Sequence, residues 1–140
     1  MGFPVEQHNV VTKDGYILSV QRIPYGMKNG PSNSPKPVVF LQHGLLDASS
    51  TWVNNFPNES LAFILADQGY DVWLGNVRGN RYSSGHTKHS KHTDAYWRFS
   101  YDEMALIDLP TMVEYALEKN GNHLLEAYIG HSQVKRYIYV

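Results

Sequence analysis

Leu124-Leu125-Glu126-Ala127-Tyr128-Ile129-Gly130-His131-Ser132-Gln133 decides the reading of this chain. Leu124 to Ile129 predicts a strand, and Gly130-His131-Ser132-Gln133 is most of a G-x-S-x-G nucleophile elbow. In that motif a serine sits on a sharp strand-to-helix turn, and small residues two before and two after it let strand and helix pass closely. Here the later position is Val134, whose branched side chain is expected to crowd the passage.

Working outward, the preceding helix opens at Ser100-Tyr101-Asp102-Glu103, a capping box of Ser with Glu three residues on. Capping accounts for Asp102 and Glu103 better than a catalytic acid pair does. Leu109, Met112, Val113, Ala116 and Leu117 follow at helical spacing. Pro110 must kink the helix or restart it, and Asn120-Gly121 ends it. Upstream, Tyr70 to Leu74 reads as a strand closed by Gly75, with Trp73 in the core. A helix is expected over 58–68, capped by Asn58, with Leu61, Ile64 and Leu65 on one face. Val38-Val39-Phe40-Leu41 is a short apolar run suited to a strand buried on both faces of a parallel sheet. It exits into Gln42-His43-Gly44-Leu45-Leu46. Residues 24–37, with four prolines and two glycines, predict a loop. Residues 8–23 predict a hairpin turning at Asp14-Gly15. Residues 76–99 show no clear period. Strands alternating with helices give an α/β class, a mostly parallel sheet with flanking helices after an N-terminal hairpin. In such sheets function gathers at the carboxyl ends of the strands.

Composition narrows the function. The chain has 140 residues, 12 Lys plus Arg against 13 Asp plus Glu, and a formal charge of −1. That balance offers no basic stripe for nucleic acid. Its 42% hydrophobic and 18% charged content predicts a folded chain. Cysteine is absent, which excludes disulfides and thiol-ligated metals in these residues. No apolar run approaches the ~20 residues that cross a bilayer. Met1-Gly2-Phe3-Pro4 leads straight into polar sequence, so no leader peptide is read there. His86, His89 and His92 recur every three residues, but Lys88 and Lys91 between them would repel a cation, and a solvated loop is expected. Neither a metal nor any other cofactor is expected. Arg78, Gly79 and Asn80 are expected to structure a loop, or to reach the edge of the site. Asn58-Glu59-Ser60 is a sequon that could carry a glycan.

His43-Gly44-Leu45 after the first parallel strand and Ser132 after the last form a pair in the right order. An HG-type loop offers one backbone N–H to an oxyanion, and the residue after the serine offers another. Such donors contribute about 2.7–4 kcal/mol each to a transition state.

The same residues, with their neighbours, resemble the acid lipases, the group of lysosomal acid lipase and gastric lipase. The resemblance runs from about Phe3 to Gln133. It is carried by Pro4 to Val10, Thr12 to Leu18, Phe40 to Leu45 and Asn58 to Phe63. Gly69 to Asn76, Arg78 to Asn80, Phe99 to Met104 and Asp108 to Pro110 complete it. It implies an α/β-hydrolase fold, a Ser-Asp-His triad, and hydrolysis of triacylglycerols and cholesteryl esters in lysosomes or secretions. By it, Ser132 is the nucleophile, Leu45 and Gln133 are the oxyanion-hole donors, and Asn58 is a glycosylation position. A lipid ester is the implied partner.

The match stops at Gln133. Residues 134–140, Val134-Lys135-Arg136-Tyr137-Ile138-Tyr139-Val140, form a divergent tail. The whole of 1–140 is thus expected to be one partial α/β-hydrolase domain, its C-terminal half missing. Triad members follow in the order Ser, acid, His, and the eight residues after Ser132 hold no Asp, Glu or His. Catalytic inactivity of the chain on its own is therefore expected. Neither His43 nor His131 is expected to replace the base: His43 orders its loop, and His131 points away from Ser132 in an extended chain. The alternatives are a truncated isoform that binds lipid or a full-length lipase, and an incomplete gene model joined wrongly at Gln133–Val134. A strand left at a raw edge also predicts a chain of low stability on its own.

Overall fold

The computed structural model describes residues 2–132. The divergent tail and Gln133 lie outside the described residues. The hairpin forms as the sequence predicts: β1, Glu6–Val11, pairs antiparallel with β2, Tyr16–Ile23. Gly15 turns between them at φ 98°, a conformation that favours glycine. Thr12 locks the turn by accepting the Tyr16 N–H on its side-chain oxygen at 2.9 Å.

Three parallel strands follow. They are β3, Val38–Gln42, β4, Asp71–Gly75, and, late in the chain, β6, Leu125–Gly130. β3 pairs parallel with both of the others. The sheet order is β1-β2-β4-β3-β6, with the two-residue β5, Gly85–His86, pairing beside β2. β6 is an edge of this sheet among the described residues. β3 and β4 are buried throughout, as a continuous apolar run requires when helices cover both faces. Val38, Phe40 and Trp73 pack on one side with Leu109, Met112 and Ala116. Val39, Leu41, Val72 and Leu74 pack on the other with Ala62, Phe63 and Ala66.

The helix expected over 58–68 is shorter and turned on its axis. α1 spans Leu61–Asp67, and its N-cap is Ser60 rather than Asn58. Ser60 gives no cap hydrogen bond, because its hydroxyl donates to the Asn55 carbonyl and accepts the Asn55 N–H. The inward residues are Ala62, Phe63 and Ala66, while Ile64 is 37% exposed. Two alanines let so short a helix lie close to the sheet, and Leu61 and Leu65 pack at its flanks.

The long helix begins as its capping box predicts, with Ser100 and Glu103 exchanging bonds with each other's backbone. α2, Tyr101–Glu103, runs through a π-helical turn, Met104–Asp108, into α3, Leu109–Asn120. That turn is how the chain handles Pro110. The widened turn bonds the Leu109 N–H back to the Met104 carbonyl, which leaves Pro110 in the first turn of a restarted helix, where its missing N–H is tolerated. Leu109, Met112 and Ala116 are buried, with Val113 and Leu117 packed beside them. Gly121, at φ 82°, ends the helix.

Candidate active site

Ser132 stands two residues beyond the end of β6 with φ 61°. A non-glycine residue in the left-handed region is strained and persists only where its surroundings impose it. The Gln42 carbonyl at the end of β3 accepts the His131 N–H at 3.1 Å, which carries the ladder one residue past the sheet and fixes the elbow's start. The neighbouring loop meets it there. A Cβ built on Gly44 would lie 3.1 Å from the Ser132 Cβ and 3.2 Å from the His131 carbonyl oxygen. The sequence-predicted pair, the His43-Gly44-Leu45 loop and the Gly130-His131-Ser132 elbow, is therefore brought together at the carboxyl ends of adjacent strands. Leu45 lies exposed on that loop, and the next residue, Leu46, is almost fully exposed at φ 59°.

His43 is fixed as a loop residue. It is buried, its Nδ1 donates to the Gly44 carbonyl at 2.7 Å, and its Nε2 accepts from the Asn80 amide at 3.1 Å. Both ring nitrogens are thus engaged in one tautomer. Burial pushes the ring below the usual histidine range, against the opposing pull of the Gly44 carbonyl. The unfolded chain takes up a proton as pH falls below the ordinary histidine value of 6.5, whereas the folded ring resists it. The stability that neutral His43 contributes is therefore intact above that pH and is lost as pH falls beneath it. We expect the stability advantage of the parent over His43→Asn to shrink between about pH 7.5 and pH 5, measured by paired urea melts. A constant difference would contradict this.

The aperiodic segment after β4 supplies much of the support, and its pattern gives no sign of this. Asn76 is buried; its Oδ1 accepts the Ser49 N–H and the Asn80 amide, and its Nδ2 donates to the Ser19 carbonyl and the Gln21 amide oxygen. Arg78 is buried between Asp14 of the hairpin turn and Asp108 of the π-turn. Burial works against its charge, but the hydrogen bonds that it donates to the two carboxylates hold the guanidinium above the ordinary arginine value. Arg78 and Asn80 thus organise the loop. The His86 and His89 rings lie 4.6 Å apart, tilted by 45°, at and just after β5. Among the described residues no group of three His, Cys, Asp or Glu side chains is placed to hold a metal, and no helix is long and apolar enough to cross a membrane. Asn58 is exposed beside buried Ser60.

Two family descriptions match the chain. One, a partial alpha/beta-hydrolase lipase region, matches residues 1–56, and the other, the alpha/beta hydrolase fold, matches residues 37–133. Human gastric triacylglycerol lipase is 54% identical and human lysosomal acid lipase/cholesteryl ester hydrolase 56% identical, each over 94% of this chain and 33% of the relative. The chain spans about one third of the length of these relatives. Among solved structures, an esterase of Pyrococcus furiosus superposes with a TM-score of 0.61 at 19% identity, over 91% of this chain and 42% of its own. Epoxide hydrolase A of Mycobacterium thermoresistibile superposes with a TM-score of 0.58 at 19% identity, over 97% of this chain and 34% of its own. At that identity the structures speak for the fold, while the sequence matches speak for kinship. The chain belongs to the alpha/beta hydrolase fold family, and within it is a homologue of the gastric and lysosomal acid lipases.

Proposed function

We propose that this chain supplies the nucleophile and oxyanion half of a serine hydrolase acting on lipid carboxylic esters, triacylglycerols or cholesteryl esters. The observation that carries the reading is the contact between Gly44 and Ser132, with Ser132 held at φ 61°. In this reading residues 1–140 are part of one α/β-hydrolase domain. The Ser132 hydroxyl attacks the ester carbonyl carbon, and the backbone N–H groups of Leu45 and Gln133 receive the charge on its oxygen. Gln133 lies outside the described residues, so its part rests on the motif. The two human relatives, a triacylglycerol lipase and an acid lipase/cholesteryl ester hydrolase by name, support the substrate class.

The proton of the serine hydroxyl needs a base. His43 has no free lone pair to offer, as its Nε2 accepts from Asn80, and no histidine or acid follows Ser132 in these 140 residues. The half-site is thus expected to be silent by itself. Purified chain should release no fatty acid from emulsified tributyrin or trioctanoin above its Ser132→Ala control. Residues 1–133 joined to the portion of human gastric triacylglycerol lipase that follows the matched segment should hydrolyse both. Serine-dependent turnover by the 140-residue chain would overturn the half-site reading, and a folded but inert joined protein would overturn the hydrolase reading.

A further inference from the structure

Two Asn-Gly pairs occur in the chain, Asn29-Gly30 and Asn120-Gly121. A glycine after asparagine leaves the backbone nitrogen unobstructed, so the asparagine side chain can close on it and lose its amide. The fold treats the two pairs differently. Asn120 ends α3, half-buried, and its Nδ2 donates to the Lys36 carbonyl at 3.2 Å and to the buried Asp71 carboxylate at 2.6 Å. The Gly121 N–H is tied to the Leu117 carbonyl at 2.9 Å. Asn29 is exposed, and its Nδ2 donates to the Asp67 carbonyl at 2.7 Å, where water competes. The Gly30 N–H reaches the Gly26 carbonyl at a longer 3.2 Å, and a Cβ built on Gly30 would meet nothing within 4 Å. A ring closing at Asn29 therefore displaces water rather than protein.

What Asn29 holds gives that change a consequence. Residues 26–30 clasp the end of α1. Gly26 is pressed on Asp67, where a Cβ would lie 2.5 Å from its backbone N and Cα, and the Lys28 N–H donates to the Asp67 carboxylate at 3.3 Å. Carbonyls at a helix end carry partial negative charge, so the Asn29 amide suits its place and a carboxylate does not. We propose that Asn29 is a site of spontaneous deamidation whose product opens the clasp on α1. Hydroxide takes the Gly30 N–H proton, the nitrogen bonds to Asn29 Cγ, and the Cγ–Nδ2 bond breaks. Nδ2 takes a proton from water and leaves as ammonia. Water then opens the cyclic imide at one carbonyl or the other, which gives aspartate or isoaspartate at position 29. Both lack the amide donor and carry a charge that the Asp67 carbonyl and carboxylate repel.

The test incubates the 140-residue chain at 37 °C in mildly alkaline buffer and maps the converted positions by mass spectrometry, with isoaspartate labelled by isoaspartyl methyltransferase. Conversion at Asn29 should outrun conversion at Asn120 by at least about tenfold, since Asn120 must first break a bond to a buried carboxylate. In concentrated urea, which removes that protection, the two rates should converge. Asn29→Gln should take no label at that position. Amide hydrogen exchange at Lys28 and Gly30 should rise by about tenfold in the converted protein, and by as much in Asn29→Asp before any incubation. Equal conversion of Asn29 and Asn120 in native buffer, no conversion at Asn29, or unchanged exchange in Asn29→Asp would overturn the proposal.

Discussion

Asp108→Ala is expected to cost about 3–5 kcal/mol of folding stability, the range found when one partner of a buried ion pair is removed. Asp108 is fully buried. Its Oδ1 accepts from Arg78 Nε at 2.9 Å and Nη2 at 2.7 Å, and its Oδ2 accepts the Arg78 backbone N–H at 2.8 Å. Truncation strands that N–H and leaves a buried guanidinium with Asp14 as its sole carboxylate. Asp14 is a poorer partner, since its side chain is 33% exposed. Asp14→Asn should accordingly cost only about 1–2 kcal/mol. Three separate pieces of chain meet at Arg78: the hairpin turn, the loop after β4 and the π-turn. Its guanidinium also lies 4.0 Å from the Tyr16 ring centroid. A typical domain has about 5–15 kcal/mol of stability in total, so Asp108→Ala should leave much of the chain unfolded at 37 °C. Urea melts followed by circular dichroism measure this. A change under about 1 kcal/mol would show that the pair contributes little. Replacing both partners, as in Arg78→Met with Asp108→Leu, should recover part of the loss, because no charge is then left buried alone.

This cluster marks where the sequence stops being legible. The strands of the sheet announce themselves through apolar runs, and the capping box through two residues at fixed spacing. Both are local signals. Arg78 meets Asp14 and Asp108 across 64 and 30 residues, and nothing in periodicity reports such a meeting. A charged residue directly after a buried strand is the nearest thing to a clue. Residues 76–99 carry no period because burial there falls on single side chains such as Asn76, Ser83 and Tyr96 rather than on a stripe. α1 misled for a related reason. Hydrophobicity favours its leucines and isoleucine as the core face, but close packing favours alanine, and Ala62 and Ala66 won. The two loops of the candidate site carry local signals as well. Gly130-His131-Ser132 and His43-Gly44-Leu45 each follow a strand, and β3 and β6 prove adjacent and parallel, so the two loops had to meet.

That meeting predicts the largest effect on activity. In the joined protein, Ser132→Ala should lower kcat by about 10⁶-fold, as loss of the nucleophile does in serine hydrolases that retain their other groups. The more discriminating change is Gly44→Ala. Its Cβ would press on the Ser132 Cβ at 3.1 Å and on the His131 carbonyl at 3.2 Å, so one loop must yield by a few tenths of an ångström. Gly44 is not among the positive-φ residues, so alanine brings no backbone strain and the melting temperature should hardly move. A reacting pair misplaced by 1 Å loses about 10²-fold. A shift of a few tenths should therefore lower kcat by about tenfold with KM little changed. Loss of kcat without loss of stability would tie the loop to the chemistry. Loss of both together would mean that Gly44 is needed for packing alone, and normal kcat would mean that the Gly44–Ser132 contact does not set the position of the attacking oxygen.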